Sequence, residues 1–537
     1  MMNFALTTTS ILNYAKQEYP GVKLVSKLDG DITHTSQVAD FALRVNQLAN
    51  TLIASGIKAG DRVATLAWNS QRHMELYYAV SGIGAICHTI NPRYSPEQIE
   101  YIVKHAQDKA LYFDASFAGL AELIYQQDCG VENFVCLSSA HVADNNFAVN
   151  FDDYETQIQQ HSTEFSWPEL DENTGSALCY TSGTTGDPKG VLYTHRSTCL
   201  HSIMSNHRGF LDIDSSDVIC PIVPMLHVNA WGLPYTALMS GASLVYPGAN
   251  MQADALFKLL DEESVTFIAG VPTILTALYN YMKKEGRKPR SLKRMLVGGA
   301  AASQSLIEAF EKEFDICVYH GWGMTETSPM ATLCTPKPII KQTFNSDEQL
   351  ALKTKQGRRP YGVELKLVNK QGNIVPHDGE SFGDLLVKGA WVSDRYYGQD
   401  ESATDQDGWF DTGDIATIDN NGYMQIVDRN KDVIKSGGEW ISSVELENTV
   451  LACAGIGQAA VIGLPHEKWT ERPLMLLVKD GEIEINTEEV TLFLSKNIPA
   501  WWMPDKILFV DALPIGATGK IQKKELREKY VSFETLN

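Results

Sequence analysis

The chain has 537 residues, of which 44% are hydrophobic and 21% are charged, and its formal net charge is −21. This length is too great for one hydrophobic core and predicts at least two domains. The strong negative charge argues against non-specific binding to nucleic acid and against a basic membrane-binding face. A local cluster of backbone N–H groups can still hold a small anion.

Targeting signals and cysteine usage predict a cytoplasmic protein. Residues 1–20 lack a basic stretch followed by an apolar core, so we expect no signal peptide. No run of about 18 apolar residues predicts a membrane-spanning helix. The nine cysteines form no Cys-x-x-Cys pair, which favours free thiols in a reducing compartment.

The first 170 residues alternate between predicted helices and strands. Apolar residues recur at helical spacing from Val38 to Leu52, and a strand over 62–68 and a helix through 76–80 follow. Ser95-Pro96-Glu97-Gln98 predicts a capping box with proline at the first helical position. The alternation indicates a parallel sheet covered on both faces. The polar segment 141–168 is predicted to be irregular.

A loop rich in glycine and hydroxyl groups follows. Residues 180–190 read Tyr-Thr-Ser-Gly-Thr-Thr-Gly-Asp-Pro-Lys-Gly and lie between predicted strands 176–179 and 191–193. Glycines allow close backbone approach, successive N–H groups form an anion site, and Lys189 adds a charge. A Walker A loop is excluded because a strand, and not a helix, follows the lysine. We therefore predict contact with a phosphate chain; a glycine-rich surface hairpin is the plain alternative.

The alternation resumes after this loop. Ligands of such sheets lie beyond the carboxyl ends of the strands, so the breaks that follow them are expected to converge on one crevice. From about Gly357, short strands separated by turn residues predict an antiparallel subdomain. A compact mixture of strands and helices follows Asp428-Arg429-Asn430-Lys431-Asp432, including a helix predicted over 520–529. The domain boundary is placed at this charged pentapeptide.

Five motifs, taken together, resemble the adenylate-forming superfamily, which contains acyl-CoA synthetases, firefly luciferase and the adenylation domains of nonribosomal peptide synthetases. They occur in family order along the chain: the loop at 180–190, YHGWGMTET at 319–327, WFDTGD at 409–414, DRNKD at 428–432 and PIGATGKI at 514–521.

Two further stretches narrow the resemblance. PMLHVNAW at 224–231 and KSGGEWISS at 435–443 are similar to medium- and long-chain fatty acyl-CoA synthetases, and equally to methylthiopropanoate (3-methylmercaptopropionate) CoA ligases. Leu226, His320 and Ile515 depart from the residues common in these relatives.

The resemblance implies an α/β fold. Residues 1–428 would form a large N-terminal AMP- and acyl-binding domain of doubly wound parallel sheets plus an antiparallel β subdomain. Residues 429–432 would be a hinge, and residues 433–537 a small, mobile α+β lid domain.

The implied activity is that of an ATP-dependent acid–CoA ligase. Acyl-AMP forms with release of pyrophosphate, and a thioester with CoA then follows; ATP, Mg²⁺ and CoA are required. The acid is expected to be a medium- or long-chain fatty acid, with methylthiopropanoate or another short acid as the alternative. Two other classes stay open: an enzyme that passes the acyl group to a carrier protein or to oxidation, and a silent acyl-nucleotide binding protein. The long-chain relatives suggest a homodimer, which the sequence does not decide.

The residue roles follow from the chemistry. Adenylation brings two anions together, so the site must supply positive charge and oriented donors. The resemblance implies that Lys520 bridges the carboxylate and the α-phosphate, and that Glu326 and Thr184 hold Mg²⁺. His227 would lie beside the carboxylate or thioester path. Taken alone, a lysine in such a stretch is more often a solvated surface charge.

The remaining implied contacts concern nucleotide, CoA and acid. Trp231, Val228 and Gly298 would line the acyl pocket, and His227 and Trp231, four residues apart, are predicted to share one helix face. Asp414 and Arg429 would hold the ribose, Lys431 the hinge, and Gly437 and Gly438 a pantetheine tunnel. The implied nucleotide- and CoA-binding residues are Thr181, Ser182, Gly183, Thr185, Gly186, Lys189, Gly299, His320, Gly321, Thr325, Asp414, Arg429, Lys431, Lys435, Gly437, Gly438 and Trp440.

Overall fold

A computed structural model describes residue 2 and residues 4–28, 32–138, 147–181, 187–437, 439–480, 483–516 and 520–530. The strands are β1 (Lys23–Leu28), β2 (Ile32–Gln37), β3 (Arg62–Leu66), β4 (Ile86–Thr89), β5 (Asp108–Phe113), β6 (Asn133–Cys136), β7 (Asp152–Asp153), β8 (Gly175–Thr181), β9 (Lys189–Thr194), β10 (Val218–Pro221), β11 (Ser243–Tyr246), β12 (Phe267–Gly270), β13 (Arg294–Val297), β14 (Cys317–Gly323), β15 (Met330–Leu333), β16 (Val363–Val368), β17 (Phe382–Gly389), β18 (Phe410–Ile418), β19 (Met424–Arg429), β20 (Ile434–Ser436), β21 (Glu439–Ile441), β22 (Ile456–His466), β23 (Thr470–Lys479) and β24 (Lys506–Phe509).

The helices are Thr8–Glu18, Val38–Ala54, Gln71–Gly82, Pro96–Ala106, Ala118–Gln126, Tyr154–Gln159, His195–Ser205, Leu233–Ser240, Ala253–Glu262, Pro272–Glu285, Gln304–Glu308, Pro338–Thr343, Ser346–Lys353, Ser443–Val450, Thr487–Asn497 and Lys523–Tyr530. In the part of the chain that the structure describes, no helix combines the length and the apolar character needed to cross a membrane.

Two large sheets form the N-terminal domain. One has the order β7-β6-β5-β3-β4-β8-β9 and the other the order β15-β14-β13-β12-β10-β11-β1-β2. Neighbouring strands are parallel except at three edge pairs, β8–β9, β14–β15 and β1–β2. Strands such as β4 and β12 are buried along their whole length, as expected for parallel strands covered on both faces.

The helix Gln71–Gly82 lies in the core between these sheets, and only Arg72 among its residues is not fully buried. A helix that is buried all round fills the interior of a large domain. The main hydrophobic cluster joins this helix to residues of both sheets, such as Val63 and Leu244. The two sheets therefore pack around one continuous core.

Two smaller sheets complete the fold. Strands β16 to β19 form an antiparallel sheet in sequence order. A smaller C-terminal domain has the sheet β21-β20-β23-β22, with β24 parallel to β23. The predicted α/β fold, with doubly wound sheets, an antiparallel subdomain and a smaller α+β domain, is confirmed.

Local predictions have mixed outcomes. The capping box at Ser95 is confirmed: its hydroxyl accepts from the N–H of Gln98, and the Gln98 side chain accepts from the Ser95 N–H.

The prediction that segment 141–168 is irregular is wrong in part. Residues 139–146 lie outside the described residues, but β7 and the helix Tyr154–Gln159 follow. Asp153 caps that helix, and Tyr154 and Ile158 bury one face of it.

The helix predicted over 520–529 begins only at Lys523. Before it, Ile515 bridges Ile521 and the N–H of Gly516 donates to the carbonyl of Lys520 at 2.7 Å, while residues 517–519 lie outside the described residues. Lys520 is therefore carried by a loop and not by a helix.

Candidate active site

A buried carboxylate lies where the antiparallel sheet meets the end of β14. Asp414 of β18 accepts from the indole N–H of Trp322 at 2.9 Å and from the Arg429 guanidinium at 2.7 Å. Arg429 is its register partner on β19. Burial raises the pKa of Asp414, while the charge of Arg429 and the Trp322 hydrogen bond oppose that rise. The pairing holds this carboxylate in one orientation.

Lys520 of the C-terminal domain reaches this region. Its ammonium group interacts electrostatically with Asp414, Glu326, Arg429 and Lys431. Lys520 is exposed to solvent, but protein lies around its ammonium end, which stands in an open cleft beside these charged groups. Burial and the charge of Arg429 lower the pKa of Lys520 to about 8, against the influence of Asp414.

Glu326 follows β14 in the short turn Thr325–Thr327. Its side chain is 6% exposed, and its Oε1 accepts from the hydroxyl of Tyr396 at 2.8 Å. Burial raises the pKa of Glu326, while the Tyr396 hydrogen bond and the charges of Arg429 and Lys189 lower it. The ammonium of Lys189 lies over the Tyr396 ring, 4.7 Å from its centre. Glu326 and Lys189 are thus linked through one tyrosine.

His227 is half-buried in the same cleft. Burial lowers its pKa to about 4, and the nearby positive charge of Lys520 acts in the same direction. The imidazole is therefore neutral at pH 7. A neutral imidazole offers one donor and one acceptor beside the ammonium group of Lys520.

The predicted helix face shared by His227 and Trp231 is wrong. Residues Val228, Asn229, Ala230 and Trp231 all have positive φ angles, of 44°, 52°, 48° and 56°. They form one left-handed turn, and the right-handed helix begins only at Leu233. Left-handed backbone costs a side-chain-bearing residue about 1–2 kcal/mol, so this turn stores strain at the site.

Contacts with neighbouring strands hold the left-handed turn. Asn229 is buried, and its Oδ1 accepts from the thiol of Cys179 on β8 at 3.6 Å. The Trp231 ring lies over the end of β13, where a Cβ atom on Gly298 would be 3.1 Å from the ring and 3.2 Å from the carbonyl oxygen of Gly321. On Gly299, a Cβ atom would be 3.9 Å from the same ring. The turn therefore brings Trp231 onto the backbone of Gly298.

His320 is buried, and both of its ring nitrogens are bonded to the main chain. Nδ1 lies 3.0 Å from the carbonyl oxygen of Thr354, and Nε2 lies 3.4 Å from the N–H of Ala302. These partners fit a neutral ring that donates through Nδ1 and accepts through Nε2. Burial lowers the pKa of His320 to about 4. The side chain thus supports the loop that follows Gly298 and Gly299.

The glycine-rich loop is described at its two ends. Thr181 ends β8 and pairs with Lys189 at the start of β9. The carbonyl of Thr325 accepts from the hydroxyl of Tyr193 at 2.7 Å, which fixes β9 to the Glu326 turn. Six predicted site residues lie outside the described residues: Ser182, Gly183, Thr184, Thr185, Gly186 and Gly438.

The remaining predicted residues lie between the end of β19 and β21. Burial lowers the pKa of Lys431, against the charge of Asp432. Lys435 of β20 pairs with Trp440 of β21. The Gly437 N–H donates to the carbonyl of Trp469 at 2.8 Å.

Trp440 lies on the border between the domains. It stacks on Phe382 of β17, with ring centres 5.1 Å apart. Lys435, Gly437 and Trp440 thus belong to the C-terminal sheet and its border with β17, whereas Lys520 lies with Asp414.

Sequence reasoning missed three supporting residues. Trp322 donates to Asp414, while Tyr193 and Tyr396 hold the Glu326 turn. The partners in these hydrogen bonds are 70 to 132 residues apart, so no local sequence pattern indicates that they meet.

The AMP-binding enzyme family matches residues 17–397, and the C-terminal domain of AMP-binding enzymes matches residues 445–520. The 3-methylmercaptopropionyl-CoA ligase of Ruegeria lacuscaerulensis is 46% identical, covering 99% of this chain and 98% of the relative. The medium-chain-fatty-acid–CoA ligase of Ectopseudomonas oleovorans is 45% identical (99% and 97%), and the long-chain-fatty-acid–CoA ligase of Thermus thermophilus is 40% identical (99% and 97%).

Solved structures agree with the fold. An anthranilate CoA ligase in complex with anthranoyl-AMP has a TM-score of 0.86 at 24% identity, with 98% of each chain covered. A fatty acyl CoA synthetase of Mycobacterium tuberculosis has a TM-score of 0.72 at 26% identity, covering 98% of this chain and 99% of that one. The chain belongs to the AMP-binding enzyme family, among its AMP-forming acyl-CoA ligases.

Proposed function

We propose that this chain adenylates an apolar carboxylic acid with ATP and then transfers the acyl group to CoA. One observation carries the proposal: Lys520 of the C-terminal domain lies with Asp414, Glu326 and His227 of the N-terminal domain in one cleft. Two domains that share one set of charged groups fit a reaction between two anions, because the cation can be brought in by the second domain.

Lys520 is proposed to offset the repulsion between the acid's carboxylate and the α-phosphate. A cation in a cleft stabilises charge more strongly than in bulk water, and such an oriented group contributes about 10²–10³-fold to a rate. Asp414, fixed by Trp322 and Arg429, is proposed to accept hydrogen bonds from the ribose hydroxyls. The neutral His227 would then line the path of the carboxylate without adding a second positive charge.

The donor set fits Mg²⁺. The ion prefers oxygen ligands and commonly binds through one or two carboxylates plus phosphates and water. Glu326 is a buried carboxylate with one oxygen bonded to Tyr396, and Thr184 is the proposed second ligand. Mg²⁺, when bound, would shield the charge of the β- and γ-phosphates.

The acid is proposed to be a medium- or long-chain fatty acid. The side chains against Gly298 and Gly299, Trp231 and Val271, are apolar, which fits a hydrocarbon chain. A second candidate is 3-methylmercaptopropionate, because two relatives of that name are 45–46% identical.

The CoA step is proposed to use a second arrangement of the domains. Residues 1–428 would stay fixed, and residues 433–537 would rotate about 429–432, with Lys431 as the hinge. This motion withdraws Lys520 and brings Gly437 and Gly438 to the pantetheine path. A few residues at an element's end can absorb such a dihedral change. The separate positions of Lys520 and Gly437 support this proposal.

All nine cysteines lie among the described residues, and none of them forms a disulfide. Free thiols fit a reducing compartment, so the cytoplasm is the proposed location. The homodimer stays a prediction, tested by light scattering of the purified chain.

The test of the function is pyrophosphate release from ATP and Mg²⁺ over a panel of acids, from methylmercaptopropionate and propionate to palmitate, with and without CoA. CoA-dependent turnover that peaks at one acid supports the proposal and identifies the acid. Release without any effect of CoA would favour another acyl acceptor. If no acid in the panel caused pyrophosphate release, the proposed acids would be contradicted as substrates.

A further inference from the structure

Residues 393–397 connect the glycine-rich loop to the Glu326 turn. The N–H of Ser393 donates to the main-chain carbonyl of Glu326, and the N–H of Tyr397 donates to the carbonyl of Gly190, each at 2.8 Å. Both ends of this short segment are therefore fixed by main-chain hydrogen bonds. Tyr396 lies between these anchors.

The Tyr396 side chain makes two separate polar contacts. Its hydroxyl donates to Oε1 of Glu326 at 2.8 Å, and its ring lies 4.7 Å beneath the ammonium of Lys189. The ring also packs edge-on against Phe410 of β18, with centres 6.4 Å apart. Burial and the Glu326 carboxylate raise the pKa of Tyr396, which keeps its hydroxyl protonated as a donor.

The Glu326 carboxylate is surrounded by cations that do not by themselves fix its direction. Lys189, Arg429 and Lys520 all interact with it electrostatically. Long cationic side chains attract a carboxylate from several sides, whereas a hydroxyl at hydrogen-bond distance on a rigid ring selects one orientation. Tyr396 therefore fixes one oxygen of Glu326 and, together with the N–H of Glu326 itself, sets the direction of the carboxylate.

We propose that Tyr396 is a positioning residue for adenylation: its hydroxyl orients the Glu326 carboxylate toward the position proposed for Mg²⁺, and its ring holds Lys189 at the end of the glycine-rich loop. The inference rests on the proposed function, because it assigns a partner to the groups that would meet Mg²⁺ and ATP. Main-chain bonds to Gly190 and Glu326 fix the segment at both ends, so one stretch of backbone positions both the hydroxyl and the ring of Tyr396.

The chain allows the two contacts to be separated. Tyr396→Phe keeps the ring beneath Lys189 and against Phe410 but removes the donor to Glu326. Outer partners of metal ligands typically contribute about 10–100-fold to metal affinity or activity. We expect Tyr396→Phe to raise the half-saturating Mg²⁺ concentration for acid-dependent pyrophosphate exchange about 10-fold, with an unchanged KM for the acid.

Tyr396→Leu removes both contacts. It is expected to raise the KM for ATP as well, because the ammonium group of Lys189 loses the aromatic ring beneath it. Tyr397→Phe is the matched control, since it removes a neighbouring hydroxyl and keeps the main-chain bond to Gly190, and it is expected to match the wild type.

A binding measurement removes the dependence on turnover. Calorimetry of ATP with Mg²⁺ and with EDTA gives the enhancement that Mg²⁺ confers on ATP binding. We expect Tyr396→Phe to reduce this enhancement, and to have no further effect in a Glu326→Gln background, as a double-mutant cycle requires of coupled residues.

Equal Mg²⁺ dependence in wild type and Tyr396→Phe, or equal effects with and without Glu326, would overturn the proposal for Tyr396. A wild-type chain that releases no pyrophosphate with any acid would instead contradict the proposed function. The two failures are therefore distinguishable.

Discussion

The indole ring of Trp231 lies on the backbone of Gly298, where a Cβ atom would stand 3.1 Å from the ring and 3.2 Å from the carbonyl oxygen of Gly321. This contact joins the left-handed turn after His227 to the carboxyl end of β13. Any side chain at Gly298 must displace the ring or the main chain of β14. The shape of the proposed acyl pocket therefore depends on a glycine at this position.

We expect Gly298→Ala to raise the KM for the acid about 10-fold, since forcing one methyl group into a packed site costs about 1–3 kcal/mol. The KM for ATP is expected to stay within about twofold. Steady-state kinetics, in which the acid and ATP are varied in turn, measure the two KM values separately. The double variant Gly298→Ala with Trp231→Ala should recover acid binding, because the ring that the methyl group meets is absent; equal losses in both variants would contradict the contact.

Trp231→Ala alone is expected to move the preferred acid toward longer chains. Removing the ring opens the path beside Gly298, and each added methylene in an apolar pocket contributes about 1–3 kcal/mol to discrimination. The check is the ratio of kcat/KM for dodecanoate to that for butyrate, with an expected rise of about 10-fold. An unchanged ratio would show that Trp231 does not limit the pocket.

Ala230→Gly tests the strained turn. Ala230 is buried at a φ of 48°, so glycine relieves about 1–2 kcal/mol of strain that offsets the lost methyl group. The matched control is Ala237→Gly, equally buried but within the right-handed helix Leu233–Ser240, where glycine costs about 0.5–1 kcal/mol in conformational freedom. Denaturant unfolding should show Ala237→Gly as the less stable variant by at least about 1 kcal/mol; equal stabilities would contradict the left-handed turn.

The pKa of Lys520 predicts an alkaline limb in the activity profile. A bridging lysine must be protonated, and its pKa of about 8 means that the charge is lost as pH rises through that value. The kcat/KM for adenylation, which reports the free enzyme, should therefore fall above about pH 8. Lys520→Arg should move this limb upward, because a guanidinium stays charged. A flat profile from pH 7 to 9.5 in the wild type would contradict the assignment.

Asp414→Asn is expected to raise the KM for ATP about 10–100-fold, because hydrogen bonds to a charged acceptor contribute about 1.5–3 kcal/mol. The KM for the acid should change little. Asp411→Asn is the control on the same strand: Asp411 is exposed and accepts from the N–H of Gly413, and asparagine can keep that bond. ATP kinetics of the two variants give the comparison, and a KM within twofold of wild type in Asp414→Asn would exclude the proposed ribose contact.

Much of the fold is predictable because parallel strands and amphipathic helices have simple periods. β3 and β8 lie where apolar runs predict strands. The left-handed turn was not predictable, since spacing alone suggests that His227 and Trp231 share a helix face. The nearest feature in the sequence that could have indicated the turn is Gly232, which stands directly after Trp231. In the structure Gly232 has a φ of 76°.

The candidate site likewise contains residues that the sequence predicts and contacts that it does not. Lys520, Glu326 and Asp414 stand in recognisable motifs, and the structure brings them into one cleft. The contacts that support these residues were not predictable: Trp322 reaches Asp414 across 92 residues, and Tyr396 reaches Glu326 across 70. Such pairs arise from sheet order and loop packing, which the local sequence does not encode.

The most direct test of the role of Lys520 compares the two half-reactions in Lys520→Ala. We expect acid-dependent exchange of pyrophosphate into ATP to fall about 10²–10³-fold, whereas thioester formation from supplied acyl-AMP and CoA should fall by less than about 10-fold, because Lys520 acts only while two anions meet. Full exchange activity in Lys520→Ala, or equal loss of both half-reactions, would contradict this role.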